Sequence, residues 1–242
     1  MSQYTWKEKL AIIKDSLKMI GPVMSLRYVL IYLLGYMPGN DKSFDKKYNT
    51  DTTGLISTSK LSISDAKSSS NAIIYLPAPE SVTRYMIKSL PVDHADYTFV
   101  DYGSGKGRVL LTASNFPFKK IIGVEISSDL HAVALKNLQN FHNPGQKCTD
   151  IELNQVNALE YTPPPVPTVF HFYHPFLPEV LRPVLANIKH SLEKHPRSIY
   201  ILYLYHVDFV AATFSEAGFL KLIKEVKCLN SQYNWAMYTN DF

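Results

Sequence analysis

The chain has 242 residues, of which 46% are hydrophobic, and its formal net charge is +4. This length and apolar content are enough to bury a sizeable core, which excludes an intrinsically disordered chain and predicts one main domain with an N-terminal extension. The charge is mild and is not gathered into the basic tract of a dedicated nucleic-acid binder, so we do not expect nucleic acid as a partner.

The cysteine content predicts the compartment. Cys148 and Cys228 are isolated and show neither a C-x-x-C spacing nor a Cys/His pattern typical of metal sites. We therefore expect no metal and a reducing, cytoplasmic environment. The sequence also shows no apolar segment that follows a charged start and precedes a small-residue cleavage site, so secretion is not predicted.

Residues 4–37 have a helical tendency that is interrupted at Gly21 and Pro22. The first half of this segment repeats apolar residues every three or four positions, at Trp6, Leu10, Ile13 and Leu17. The second half is apolar nearly all round, but basic residues and a proline fall inside any window of about 20 residues that a membrane span needs. Three interpretations stay open for residues 18–37: packing on the domain or a partner chain, contact with a membrane surface, or a span.

The next segment, residues 41–71, is rich in Ser, Thr, Lys and Asp. It contains the phrase Phe44-Asp45-Lys46-Lys47-Tyr48-Asn49-Thr50-Asp51-Thr52-Thr53-Gly54. Two interpretations stay open, a solvated connection or a lid over a ligand, because long loops in compact domains are often functional. The chain therefore divides into a helical extension (1–40), a polar loop or lid (41–71) and the main domain (72–242).

In the main domain, predicted strands and helices alternate. The predicted strands lie near residues 99–102, 120–125, 151–156, 168–172, 198–205, 219–229 and 233–239. The predicted helices lie near residues 81–90, 108–116, 128–141, 178–193 and 208–217. This alternation predicts an α/β fold, a mainly parallel sheet with helices on both faces. The last two strands predict a C-terminal hairpin that adds one antiparallel strand.

The stretch Phe99-Val100-Asp101-Tyr102-Gly103-Ser104-Gly105-Lys106-Gly107-Arg108 predicts a buried strand, a glycine turn and the start of a helix. Glycines allow a positive φ and a close approach of ligand to backbone. The helix N-terminus offers unpaired N–H groups, and Asp101 adds a carboxylate at the strand tip. The turn therefore predicts a site for a ligand that carries both charges, as amino acids do.

The glycine spacing selects among nucleotide cofactors. Arg108 stands where the dinucleotide fingerprint has its third glycine or alanine, which argues against NAD or FAD, and no Walker A string is present in the sequence. Residues 101–107 resemble motif I of the class I S-adenosylmethionine-dependent methyltransferases. The resemblance implies a Rossmann-like seven-stranded sheet, S-adenosyl-L-methionine as cofactor and Asp101 beside its methionine ammonium. It also implies that the cofactor is bound by the turn residues Gly103, Ser104, Gly105 and Gly107.

Two further positions extend the predicted cofactor site. Glu125 ends the second predicted strand, roughly 20 residues past the glycine turn, where an acid accepts ribose hydroxyls. The matching acid does this in the methyltransferases, with Ile126 beside it; alternatively, Glu125 caps the following helix. Asn157 and Ala158 follow the third strand, where the family commonly has Asp or Asn with a small neighbour at the adenine. Alternatively, Asn157 is an Asx-type turn residue.

The acceptor side is predicted from two segments. Tyr75 resembles the tyrosine of a Tyr-x-Pro segment ahead of motif I in several protein-lysine methyltransferase groups, where it lies near the cofactor; alternatively it is a core aromatic. Tyr173, His174 and Phe176 follow the fourth strand at the motif IV position, and they are the candidate catalytic residues. There His174 replaces the Asn or Asp of amino-group methyltransferases and is either a base, an orienter or a structural histidine. Phe176 is placed to pack on the acceptor or on the sulfonium.

The resemblance as a whole implies a methyltransferase with S-adenosyl-L-homocysteine as its product and a protein side-chain amine as its most favoured acceptor. A small molecule or RNA acceptor stays open, and so does a non-catalytic scaffold that binds the cofactor. The phrase within residues 44–54 is similar to one that precedes the catalytic domain in some uncharacterised bacterial methyltransferases, which favours the lid.

Overall fold

The computed structural model describes residues 6–34, 42–57 and 75–240, which form one seven-stranded sheet and its flanking helices. The strands are β1 (Thr98–Tyr102), β2 (Lys120–Glu125), β3 (Ile151–Gln155), β4 (Thr168–Tyr173), β5 (Ile199–Leu204), β6 (Lys221–Val226) and β7 (Trp235–Thr239). The helices are α1 (Trp6–Leu34), α2 (Ser43–Tyr48), α3 (Glu80–Lys88), α4 (Arg108–Ala113), α5 (Ser128–Asn140), α6 (Pro178–Lys194) and α7 (Asp208–Ala217).

The sheet has the strand order β3-β2-β1-β4-β5-β7-β6. Neighbours among β1 to β5 are parallel, whereas β7 runs antiparallel to both β5 and β6. The predicted α/β fold, with its mainly parallel sheet and antiparallel C-terminal hairpin, is therefore confirmed. A 3₁₀ turn, Ser231–Tyr233, precedes β7.

Helices cover both faces of the sheet, as the alternation predicted. On one face, α1, α3 and α4 supply Met19, Val82 and Leu110 to a hydrophobic layer that includes Phe99 of β1. On the other face, residues of α6 and α7 join a second layer, to which β1 contributes Val100. Because successive side chains of a strand point to opposite faces, an entirely buried strand such as β1 supplies both layers.

Helix α1 is broken where the sequence predicted. Gly21 has φ 78° and ψ 166°, outside the helical region, and Pro22 follows it. The predicted apolar stripe is exposed to solvent, at Trp6, Leu10, Ile13 and Leu17. No helix in residues 6–34, 42–57 and 75–240 is long and apolar enough to cross a membrane.

The topology brings the predicted site residues to one edge of the sheet. Strands β1 to β5 run in the same direction, so their carboxyl ends meet at this edge. The chain order reverses between β1 and β4, and open α/β sheets bind ligands at such a reversal. Asp101, Glu125 and Tyr173 lie at or next to these ends.

Candidate functional site

The glycine turn between β1 and α4 is built from left-handed backbone. Gly103, Gly105 and Gly107 have φ values of 74°, 54° and 87°. The N–H groups of Gly103 and Ser104 donate to the carbonyl of Val124 on the neighbouring strand, at 2.9 and 3.1 Å. The turn is thereby anchored to β2 at one end, while Gly107 forms the N-cap of α4 at the other.

Tyr75 packs directly against the turn. A Cβ added to Gly105 would lie 2.3 Å from Cε2 of Tyr75, so only glycine lets the ring come this close. The Tyr75 hydroxyl donates to the carbonyl of Thr52 at 2.7 Å, and residues 56 and 75 form an antiparallel bridge. Burial raises the pKa of Tyr75 well above its ordinary value, which keeps the hydroxyl protonated as a donor.

Glu125 is the second buried carboxylate of the site. Its Oε2 accepts the N–H of Gly105 and its Oε1 accepts the N–H of Ser127, each at 2.8 Å. Burial raises the pKa of Glu125, and these backbone hydrogen bonds counteract that rise. The helix cap is Ser127, whose Oγ accepts the N–H of Leu130. Glu125 therefore supports the turn and the start of α5, and the ribose role that the resemblance implies stays a prediction.

Asp101 lies opposite a histidine that the sequence did not single out. Asp101 and His171 are register partners on β1 and β4, and Oδ1 of Asp101 lies 2.7 Å from Nδ1 of His171. Both side chains are almost completely buried. Burial raises the pKa of Asp101, whereas the charge and the hydrogen bond of His171 act to lower it.

Asn157 adopts the turn that was one of the two interpretations left open by the sequence. Its Oδ1 accepts the N–H of Leu159 at 3.0 Å, which is an Asx-type turn. Asn157 also lines the cavity, as do its neighbour Ala158 and Ile126. The adenine role that the resemblance implies stays a prediction for these three residues.

A cavity at the carboxyl edge of the sheet collects most of the predicted residues. Those that line it are Tyr75, Asp101, Gly103, Ser104, Glu125, Ile126, Asn157, Ala158, Tyr173, His174 and Phe176. Gly105 and Gly107 shape the turn but are not part of this lining. The wall also includes Arg108 and apolar residues from α4, α5 and α6.

The polar groups in the cavity fit S-adenosylmethionine. Within the described ranges, the Oγ of Ser104 is buried without a hydrogen-bond partner, although it lies on the cavity wall. A buried hydroxyl of this kind is costly unless a ligand satisfies it. Asp101 suits an ammonium and Glu125 suits ribose hydroxyls, so the donor and acceptor set matches the predicted cofactor. No group of three or more potential metal ligands occurs in the described part of the chain.

The motif IV segment carries unusual backbone geometry. His174 has φ 41°, a left-handed conformation that is uncommon for residues other than glycine. Its Nδ1 lies 3.0 Å from the hydroxyl of Tyr203, and its ring contacts Tyr205 and Phe209 at centroid distances of 4.9 and 5.5 Å. Burial lowers the pKa of His174, so the imidazole is neutral near pH 7.

Residues 42–57, which we call the strap, pack against the outer side of the glycine turn. Phe44 and Tyr48 of α2 are buried against Leu111 of α4 and Phe141. None of the strap residues lines the cavity. The rest of the predicted loop or lid, residues 58–71, lies outside the described residues.

Two basic residues, Lys106 of the turn and Arg108 at the start of α4, hold the strap. Nζ of Lys106 donates to the carbonyl of Thr53 at 2.8 Å and pairs with Asp51 at 3.0 Å. Nε of Arg108 donates to Oγ1 of Thr52 at 2.6 Å. Arg108 also lies 3.7 Å from a carboxylate oxygen of Asp45. Arg108 thus binds the strap. It occupies the position at which the dinucleotide fingerprint has its third glycine or alanine.

The carboxylate of Asp45 holds the strap together, so removal of this side chain should destabilise the strap. This carboxylate accepts the backbone N–H groups of Thr52 and Thr53 and the hydroxyls of Thr50 and Thr52. Burial raises its pKa, but the hydrogen bonds from Thr52 and Thr53 outweigh burial and lower it. We expect Asp45→Ala to destabilise the strap locally by about 2 to 4 kcal/mol, since several charge-assisted hydrogen bonds are lost.

Hydrogen exchange of the strap amides measures this effect. The matched control is Lys46→Ala, because Lys46 follows Asp45 in α2 and its side chain is exposed, so strap protection should stay at the wild-type level. Equal protection of the strap in Asp45→Ala and in the wild-type protein would contradict the role given to Asp45.

The sequence did not reveal the role of the strap, nor that of His171 or Tyr203. The sequence did contain a pattern that indicates the strap. Asp45 is followed by Thr50, Thr52 and Thr53, whose hydroxyls and N–H groups can donate hydrogen bonds to a nearby carboxylate. His171 lies in a continuous apolar run and shows no local pattern. Its role depends on β4 lying beside β1.

Comparison with known proteins by sequence finds a methyltransferase among the relatives of this chain. The protein-lysine N-methyltransferase of Saccharolobus islandicus (strain REY15A) is 31% identical over 124 residues, which are 49% of this chain and 76% of that protein. No family model matches the sequence.

Solved structures of similar fold include several methyltransferases. A SAM-dependent methyltransferase from Aquifex aeolicus is 15% identical, with a TM-score of 0.48 over 65% of this chain and 88% of that chain. An RNA methyltransferase from Salinibacter ruber, solved in complex with S-adenosyl-L-homocysteine, is 19% identical, with a TM-score of 0.44 over 68% of this chain and 92% of that chain. From the sequence relative, the glycine turn and the two carboxylates at the strand tips, it follows that the chain belongs to the S-adenosylmethionine-dependent methyltransferases.

Proposed function

We propose that this methyltransferase transfers its methyl group to a lysine amine of a protein. The observation that carries the proposal is the environment of His174, a neutral imidazole on the cavity wall with aromatic rings around it. The sequence relative, a protein-lysine N-methyltransferase, supports the same acceptor class.

The chemistry of a lysine acceptor explains why such an environment is useful. A lysine amine has an ordinary pKa of about 10.4, so at neutral pH it must lose a proton before its lone pair can attack. Burial in the cavity lowers the pKa of an entering amine, which brings its proton within reach of an imidazole, and burial also lowers the pKa of His174, which leaves its imidazole neutral and able to accept that proton. The rings of Tyr173 and Phe176 on the same wall favour a cationic side chain as it enters.

The other site residues hold the reactants. When bound, S-adenosylmethionine supplies a methyl group already activated by its sulfonium. Asp101, Ser104 and Glu125 are the residues that would hold its polar groups. Since the methyl group needs no further activation, the contribution of the protein is alignment of the amine and exclusion of water. The hydroxyl of Tyr203 fixes the orientation of the His174 ring through Nδ1.

The acceptor class is tested by label transfer. The purified protein is incubated with tritiated S-adenosylmethionine and a lysate, which is then separated into protein, RNA and small-molecule pools. We expect the label in protein, and acid hydrolysis should release it as methylated lysine. Label in RNA, in small molecules or in another amino acid would overturn the proposal, and binding of cofactor without any transfer would favour a scaffold.

His174→Ala tests the proton acceptor. We expect kcat to fall about 100-fold, the lower end of the range for a general base, while affinity for S-adenosylhomocysteine stays within about twofold. His174→Asn should not restore kcat, because an amide tolerates the left-handed backbone but cannot take a proton.

The matched control is His190→Ala, since His190 is exposed on α6 and pairs only with Glu193 among the ion pairs of the described residues. Retention of wild-type kcat by His174→Ala would contradict the role given to His174. Recovery in His174→Asn would reassign His174 from a base to an orienting residue.

A further inference from the structure

The pair formed by Asp101 and His171 lies at the wall of the cavity, where the resemblance implies that Asp101 binds the methionine ammonium of the cofactor. Asp101 lines the cavity, whereas His171 does not. His171 is 0% exposed, and its ring stacks on Phe99 at 6.0 Å between centroids. The only ionisable side chain that the structure pairs with His171, within the described ranges, is Asp101 at 2.7 Å.

Packing alone does not account for a histidine at this position. Its Nε2 is buried without a hydrogen-bond partner in residues 6–34, 42–57 and 75–240. An unpartnered buried nitrogen costs free energy, so an apolar side chain of similar volume would pack in the same layer at a lower cost. What an apolar side chain would not provide is the contact of Nδ1 with the carboxylate of Asp101.

The carboxylate of Asp101 needs such a contact to remain charged. A fully buried carboxyl group without a partner favours its protonated form, because burial penalises the charge. A hydrogen-bond donor on one oxygen favours the ionised form and also fixes the plane of the carboxylate. The second oxygen then stays available on the cavity side.

We propose that His171 is a positioning residue for cofactor binding, which donates Nδ1–H to Oδ1 of Asp101 and presents the ionised carboxylate to the ammonium of the cofactor. His171 touches neither the cofactor nor the acceptor and acts only through Asp101. The inference concerns cofactor binding and does not depend on which acceptor the enzyme uses.

Two ligands separate this role from a merely structural one. S-adenosylhomocysteine carries the amino-acid end with its ammonium, whereas methylthioadenosine has the same nucleoside but lacks that end. For His171→Leu we expect the Kd of S-adenosylhomocysteine to rise about tenfold or more, the loss expected when a hydrogen bond to a charged group is removed. The Kd of methylthioadenosine should stay within about twofold of the wild-type value.

His171→Asn provides the rescue, since its amide N–H replaces Nδ1–H at a similar distance from the backbone. We expect it to recover most of the affinity for S-adenosylhomocysteine. His206→Leu is the matched control: His206 is also buried and bonded to an acid, Glu225, and to Tyr238, but it lies outside the cavity lining. Equal weakening of both ligands by His171→Leu, or no weakening of either, would overturn the proposal.

A second measurement uses the unmodified protein and does not depend on how well a variant folds. Nitrogen NMR of the imidazole rings reports which nitrogen of His171 carries a proton. We expect Nδ1 of His171 to be protonated with and without S-adenosylhomocysteine. A deprotonated Nδ1 would mean that Asp101 is the donor and holds the proton, which would overturn the inference. Neither experiment requires a methyl acceptor, so failure here is distinguishable from failure of the lysine proposal.

Discussion

Replacement of Glu125 by alanine is expected to raise the Kd of S-adenosylhomocysteine by about 100-fold or more, the largest binding effect of any single substitution considered. Two contributions add. The ribose hydroxyls lose a charged acceptor, and the buried N–H groups of Gly105 and Ser127 lose the oxygens to which they donate at 2.8 Å. The turn and the start of α5 therefore loosen together, which affects the ligand at two points.

The effect of Glu125→Ala on stability should be smaller than its effect on binding. Two unsatisfied buried donors cost about 1 to 3 kcal/mol each, but removal of a carboxylate that burial penalises offsets part of that cost. Calorimetric titration and denaturant unfolding measure the two quantities on the same sample. The matched control is Glu152→Ala, because Glu152 lies on the adjacent β3 and pairs with Lys120 at a partly exposed position. If Glu125→Ala bound S-adenosylhomocysteine with wild-type affinity, Glu125 would not be a residue of the cofactor site.

Gly105→Ala is expected to damage both the turn and the strap. The left-handed φ of 54° costs an alanine about 1 to 2 kcal/mol. In addition, the new Cβ would lie 2.3 Å from Cε2 of Tyr75, which cannot move away easily while its hydroxyl is bonded to Thr52. We expect a total loss of about 3 kcal/mol in the free energy of unfolding and a cofactor affinity at least about tenfold weaker.

Gly218→Ala is the matched control for Gly105→Ala. Gly218 also has a positive φ, of 70°, but the nearest atom to its added Cβ is a carbonyl oxygen at 3.8 Å. It should therefore show the conformational cost alone, about 1 to 2 kcal/mol, with unchanged cofactor affinity. If the two alanine variants lost equal stability and both bound cofactor normally, the contact between Gly105 and Tyr75 would contribute neither to stability nor to cofactor binding.

The parts of the site that the sequence predicted are local to single strands and turns. Asp101 and Glu125 each end a short apolar run, and an acid in that position lies at the carboxyl edge of a parallel sheet whatever the rest of the chain does. The fold could also be predicted from the sequence, because an alternation of strands and helices is compatible with few topologies.

The parts that the sequence did not predict depend on contacts between distant segments. His171 lies 70 residues from Asp101, and the two meet only because β4 is inserted beside β1. Arg108 lies 56 residues from Thr52, so its role in holding the strap has no local pattern. The left-handed backbone of His174 is likewise set by tertiary contacts, since a histidine after a strand carries no preference strong enough to predict it.

In chain order β7 comes after β6, yet in the sheet it separates β6 from β5, so the sheet cannot be completed before β7 has been made. β7 pairs with β5 on one side and with β6 on the other. Until β7 leaves the ribosome, β6 has no neighbouring strand, and β5 presents an open edge whose buried residues include Leu202 and Leu204. The nascent protein therefore passes through a stage at which six strands have been made but only five are paired, and the unpaired backbone groups of β5 are open to pairing with other chains.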